Sequence, residues 1–142
     1  MASENEIPLE ILVATMNRNS LEFLHAMFER NTIDDCKVLV INQTTQDCLL
    51  ESSSSNIRVI NSFEKGLSRS RNLAIQNAKG YICLIADDDV VLEKDFHESI
   101  LSSYESLSDA DLISFKTRTK EQKPYSNYPK SVSEINSFYK KP

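Results

Sequence analysis

Apolar residues in this chain fall in short runs, and each run stops at a polar turn. Leu9-Glu-Ile-Leu-Val-Ala14 has strand length and ends at Thr15-Met-Asn-Arg18. Cys36-Lys-Val-Leu-Val-Ile41 stops at Asn42-Gln-Thr-Thr45, Ile57-Arg-Val-Ile60 is a short third run, and Tyr81-Ile-Cys-Leu-Ile-Ala86 leads straight into Asp87, Asp88 and Asp89. Runs of this length between turn residues read as buried strands. Between them the period becomes helical. Leu21, Leu24 and Phe28 share one face, with Ser20 where a cap is expected. Gly66 and Gly80 are the only two glycines and bracket a second helix. Its narrow face of Leu67, Ser70, Ala74 and Ala78 suits close packing on a sheet, and Gly80 is expected to be its left-handed terminus. Phe96, Ile100, Tyr104 and Leu107 predict a third helix, and Asp111-Leu-Ile-Ser-Phe115 a further strand.

Strands alternating with helices build βαβ units, so the expected class is α/β, a mostly parallel open sheet with helices on both faces. Sheets of that kind bind ligands at the carboxyl ends of their strands. The polar tips Thr15 to Arg18, Asn42 to Thr45 and Asp87 to Asp89 are therefore expected along one edge. The expected organisation is a disordered N-terminus over residues 1–8, one α/β domain with a single core over 9–118, and an irregular segment over 119–142. That last segment holds three of the four prolines and a weak helical pattern near Ser133 to Tyr139.

Composition narrows the classes. Hydrophobic content of 40% with 26% charged residues is that of a globular domain, and no apolar stretch approaches the roughly 20 residues of a membrane span. A net charge of −5 with scattered bases argues against a nucleic-acid partner. Cys36, Cys48 and Cys83 lack CxxC spacing, and the polar, acidic start from Met1 to Glu6 has no secretory pattern, so the expected location is cytoplasmic. His25 and His97 have no Cys/His neighbours at metal-ligand spacing and are given no chemistry.

The acidic triplet is the strongest chemical feature. Adjacent carboxylates at a strand end repel, and a divalent cation would relieve that repulsion. Mg²⁺ or Mn²⁺ takes one or two carboxylates and completes its shell with water and phosphate oxygens, and Asp87 and Asp89 are the pair that would serve. Strand alternation puts those two on one face, although beyond the strand end their directions stay open. The plain alternative is one Asp capping the next helix and the others solvated in a turn. A calcium loop is not indicated, since no glycine follows in the acidic segment. Arg71 and Asn72, with Arg69 beside them, stand one turn into the helix after Gly66, where phosphate meets helix N-termini; a solvated helix charge is the alternative.

Taken together, Ile11 to Arg18, Lys37 to Thr44, Gly66 to Asn72 and Ala78 to Phe96 resemble the donor-binding half of glycosyltransferase family 2, with its nucleotide-diphospho-sugar transferase, or GT-A, fold. The likeness covers about residues 9 to 118. It rests on a Gly-x-x-x-x-Arg-Asn helix, an Ala-x-Gly-Tyr-Ile lead-in and a DxD motif, in that order. The resemblance implies that Asp89 holds Mn²⁺ or Mg²⁺ on the donor diphosphate and that Asp87 reaches the ribose or the same metal shell, with Asp88 beside it at the nucleotide sugar. It implies Thr15 and Asn17 against the nucleoside and Arg71 near the phosphates. Asn42 and Gln43 stand where many relatives carry an acidic pair, and Asn42 would offer its amide to a uracil edge. The implied activity is transfer of a sugar from a nucleotide-diphosphate sugar, foremost a UDP-sugar, to a hydroxyl of a glycan or lipid-linked acceptor, metal-dependent and inverting. In relatives an acidic residue from a later segment is the general base; the nearest acids, Glu93, Asp95 and Asp111, read as helix-start and connector residues. The chain is thus expected to be the donor-binding portion of a truncated enzyme. Two other readings stay open: a non-catalytic nucleotide-sugar-binding fragment, and a receiver-type signalling domain with Mg²⁺. The receiver needs acids just after the first strand, where Thr15, Met16 and Asn17 stand.

Overall fold

The structure is a computed structural model and describes residues 7–124. In chain order the elements are β1 (Ile7–Met16), α1 (Glu22–Met27), a 3₁₀ turn (Ile33–Asp35), β2 (Lys37–Gln43), β3 (Ile57–Ser62), α2 (Leu67–Asn77), β4 (Gly80–Asp87) and α3 (Phe96–Ser106). The strands form one sheet in the order β3-β2-β1-β4, every neighbouring pair parallel. Two compact units divide the chain, one ending at Ser102 and the other beginning at Ser103, so the boundary falls within α3.

The sheet belongs to the first unit. Alternation along β1 and β2 sends Leu12, Leu39 and Ile41 to one face, where Ala74 of α2 meets them and Ile60, Leu73 and Ala78 pack alongside. Ile11, Val13, Val38 and Val40 point the other way and are equally inaccessible. Both faces of the central strands are therefore covered, which is why these runs are apolar without alternation. Leu24, Met27 and Phe28 are buried in the same unit, as are Phe96 and Ile100. The Phe28 and Phe96 rings meet edge to face at 6.1 Å, and the Leu92 N–H donates to the Met27 carbonyl at 2.8 Å.

Several expectations need correction. Ile7 and Pro8 are part of β1, not of a disordered tail. Ser20 does not cap α1: Leu21 holds the cap position without a side-chain bond, and the Ser20 hydroxyl accepts only a long 3.5 Å contact from the Glu22 N–H. Nor is Gly80 a left-handed helix terminus. α2 ends at Ala78 in an extended conformation, and Gly80 is already the first residue of β4. A β-carbon there would lie 2.6 Å from Glu10 Cβ and 2.7 Å from the Glu10 nitrogen, so the strand passes too close to β1 for any side chain. Gly66 does need its freedom, because it caps α2 with φ at 134°.

Glu10 explains that close approach. It lies in the middle of the sheet at 1% exposure and accepts the Lys79 and Gly80 N–H groups at 2.5 and 3.0 Å. Its other oxygen accepts from Arg58 at 2.7 Å, and Arg58 also donates to the Asn77 carbonyl at 2.8 Å. Burial pushes the Glu10 carboxyl up, but Arg58 and the two backbone donors outweigh burial and hold it below its ordinary value.

In the second unit the end of α3 runs into a turn, and the described residues that follow form no regular element except a bridge between Arg118 and Pro124. The strand expected at Asp111 to Phe115 is absent. Among the described residues nothing pairs with it, and Leu112 is 82% exposed. An apolar run becomes a strand only where a neighbour takes its main-chain groups. The helical pattern near Ser133 to Tyr139 lies outside the described residues.

Candidate functional site

The carboxyl ends of β1, β2 and β4 lie side by side, with Thr15 opposite Asn42 and Ala14 opposite Asp87. Chain direction changes at Asn17, whose φ of 52° is a left-handed conformation that asparagine tolerates better than most residues. Its N–H is held by the Gln43 carbonyl at 2.9 Å. The next residue is gripped more firmly. The Arg18 N–H donates to Asn42 Oδ1 at 3.1 Å, and Asn42 Nδ2 donates to the Arg18 carbonyl at 3.0 Å. A second asparagine repeats the device: Asn61 takes both main-chain groups of Leu50, at 3.0 and 2.9 Å, and accepts from Asn42 Nδ2 at 3.1 Å.

So anchored, Arg18 reaches the acidic tip. Its guanidinium lies 5.0 Å from the centre of the Phe23 ring, donates from Nε to Thr15 Oγ1 at 3.1 Å and from Nη2 to Asp88 Oδ2 at 2.8 Å. Thr15 Oγ1 donates to the same Asp88 oxygen at 2.5 Å. Burial raises the Asp88 carboxyl, yet the Thr15 hydroxyl and Arg18 outweigh it and the net shift is downward. Asp88 is thereby part of the frame.

Asp87 closes β4 and meets α2 instead, accepting from Arg71 Nη2 at 2.6 Å. Asp87 is 56% exposed and Arg71 37%, so this single-contact pair contributes under about 1 kcal/mol. Among the described residues the buried Arg71 Nε has no acceptor. Gln43 fixes the helix that carries Arg71: its Oε1 accepts the Gly66 N–H at 2.6 Å and its Nε2 donates to Ser70 Oγ at 3.2 Å. Asp89 is exposed and, among the described residues, has no hydrogen-bond or ion-pair partner.

The sequence-predicted residues thus converge but divide into two sets. Thr15, Asn42 and Asp88 turn inward and are engaged with one another's neighbours, whereas Asn17, Asp87, Asp89 and part of Arg71 face solvent. Asn42 is 0% exposed with both ends of its amide occupied, so the expectation of a free amide for a base edge is corrected. Repulsion at the tip is also weaker than three adjacent acids imply, since two of the three carboxylates are already matched by Arg18 and Arg71. Arg18 is the residue that motif reading passed over, although it is the only cation in the three polar tips.

Among the described residues no three Cys, His, Asp or Glu side chains come together as a closed metal cage. The donor set that does exist is one unpartnered carboxylate and one carboxylate with a single oxygen engaged. That matches the sparse protein contribution Mg²⁺ and Mn²⁺ take when phosphate supplies the remaining oxygens. Of the acids nearest to the role of general base, Glu93 is paired with Arg30 at 2.8 Å, and Asp95 and Asp111 are exposed.

A four-stranded parallel sheet with its polar edge at the strand ends is the architecture of a GT-A-like α/β protein. The family model described as Glycosyl transferase family 2 matches residues 10–141, and the chain belongs to that family. It is a glycosyltransferase by class, and the family in general binds a nucleotide-sugar donor and an acceptor. No curated protein matches the chain. No helix among the described residues is long and apolar enough to cross a membrane.

Proposed function

We propose that the carboxyl edge of the sheet binds the nucleoside diphosphate of an activated sugar, foremost a UDP-sugar, together with Mn²⁺ or Mg²⁺. The sugar is then transferred, with inversion, to a hydroxyl of a glycan or lipid-linked acceptor. The observation that carries this reading is the meeting at one edge of groups from separate segments: Asn17 after β1, Arg71 on α2, and Asp87 and Asp89 at the end of β4. Beneath them Thr15, Arg18, Asn42 and Asp88 act as a rigid support.

A divalent cation, when bound, offsets the negative charge that gathers on the departing diphosphate. Asp89 offers it an exposed, unpartnered carboxylate, and Asp87 the oxygen that Arg71 leaves free. Arg71 meets phosphate oxygens through its planar fork, and Asn17 offers an exposed amide to the nucleoside.

Thermal unfolding of the chain with UDP, GDP, CDP and their sugars, with and without Mn²⁺, tests the reading. Stabilisation requiring both nucleotide and metal is expected, reaching about 2.7 kcal/mol at a hundredfold excess over Kd. Absence of any nucleotide-dependent stabilisation would overturn it, and stabilisation by beryllofluoride with Mg²⁺ would point to the receiver-type alternative.

A further inference from the structure

We infer that Arg71 is an exchangeable counter-ion, which pairs with Asp87 and releases it when a diphosphate arrives. This rests on the donor-site reading above and adds to it a coupling between cation and nucleotide. The two arginine–aspartate pairs at the tip are built differently. Arg18 is fixed at both ends: Asn42 holds its main chain, Phe23 lies under its guanidinium, and Thr15 joins it on the same Asp88 oxygen. Moving it would undo all of these contacts.

Arg71 has none of that support. Among the described residues its one hydrogen bond runs from Nη2 to Asp87 Oδ1 at 2.6 Å, to an acid that is 56% exposed. Among the described residues its buried Nε has no acceptor, an unfavourable condition for a charged donor. A guanidinium carries five donors in a planar fork, and a diphosphate presents oxygens to two of them at once, which a single carboxylate oxygen does not. The rotamer that reaches Asp87 is therefore the weaker of two options once phosphate is present.

The cation stands on the other side of the exchange. A divalent ion and a guanidinium on one carboxylate repel, so the two compete for Asp87. With Arg71 in place, Asp87 keeps one oxygen for the ion but under the repulsion of the guanidinium, and Asp89 is the carboxylate open without that penalty. When a diphosphate draws Arg71 away, Asp87 faces the ion with both oxygens and without that repulsion, and the ion binds tighter. Linkage requires the reverse as well: a bound ion displaces Arg71 and tightens the diphosphate.

Calorimetry of the full 142-residue chain with Mn²⁺ and UDP, each alone and each in the presence of the other, provides the test. In the native chain UDP is expected to tighten Mn²⁺ binding about tenfold. Arg71→Gln is expected to bind Mn²⁺ alone about fivefold tighter than the native chain does and to lose most of the coupling. Asp87→Asn, by freeing Arg71, is expected to bind UDP alone tighter. Mn²⁺ affinity that is unchanged or weaker in Arg71→Gln, or UDP affinity that is unchanged or weaker in Asp87→Asn, overturns the exchange while leaving the donor site standing. A native chain that binds no UDP under any of these conditions overturns the donor-site reading itself.

Discussion

Asn42 and Arg18 are joined as two strand residues would be, except that one partner is a side chain. The amide of Asn42 takes both main-chain groups of Arg18, at 3.1 and 3.0 Å, one residue beyond the turn that ends β1. Asn42→Ala leaves a sheltered N–H and C=O without partners. A loss of about 2 kcal/mol is expected, read as a lower urea midpoint at constant slope. An unchanged midpoint would show that the turn does not depend on this amide.

Adjacent aspartates are expected to behave as different kinds of residue. Asp88→Asn removes the charge that Arg18 and Thr15 converge on and is expected to destabilise the ligand-free chain by about 1–3 kcal/mol. Asp89→Asn touches nothing described and is expected to stay within about 0.5 kcal/mol without ligand, while losing the Mn²⁺-dependent part of any nucleotide stabilisation. Paired melting curves decide the matter, and equal ligand-free losses in both variants would contradict the division.

Glu10 ties stability to acidity away from the carboxyl edge of the sheet. Its folded carboxyl titrates below the ordinary value of 4.5, so as pH falls the unfolded chain takes up the proton first. The stability it contributes is complete above the ordinary value and drains away as pH drops through the lower, folded one. Glu10→Gln leaves Arg58 without its counter-charge and faces the Lys79 and Gly80 N–H groups with an amide. A loss of about 3 kcal/mol at neutral pH is expected, together with a flatter acid limb. Urea melts from neutrality to about pH 3 would test both parts, and an equally steep acid limb in the variant would assign that limb to other carboxylates.

Gly80→Ala should be harmful although it adds only a methyl group. With Glu10 backbone 2.7 Å from the new carbon, β4 must shift against β1, at about 1–3 kcal/mol by chemical denaturation. Native-like stability would mean that the two strands have slack at this crossing.

Much of this architecture can be read in the chain because the central strands are buried on both faces, so Val38, Leu39, Val40 and Ile41 form an unbroken apolar run with polar residues at its end. Short-range patterns of that kind survive folding. Other features depend on partners far away in sequence. Gly80 follows a helix and looks like its terminus, but the group that demands a glycine there is Glu10, 70 positions earlier. Thr15, Asn42 and Asp88 look as available as Asn17, Asp87 and Asp89 in a list of polar tips. The inward ones are engaged by Arg18, whose position depends on three strands at once. Asp111 to Phe115 has a strand pattern without a strand, because pattern does not provide the neighbour.

Arg18 and Arg71 already neutralise two of the three acids at the tip, so the chain's own cations meet most of the repulsion there. Any ion that Asp89 attracts arrives at finished architecture. If the proposed ion binds there, chelation is expected to remove it while the fold stays intact.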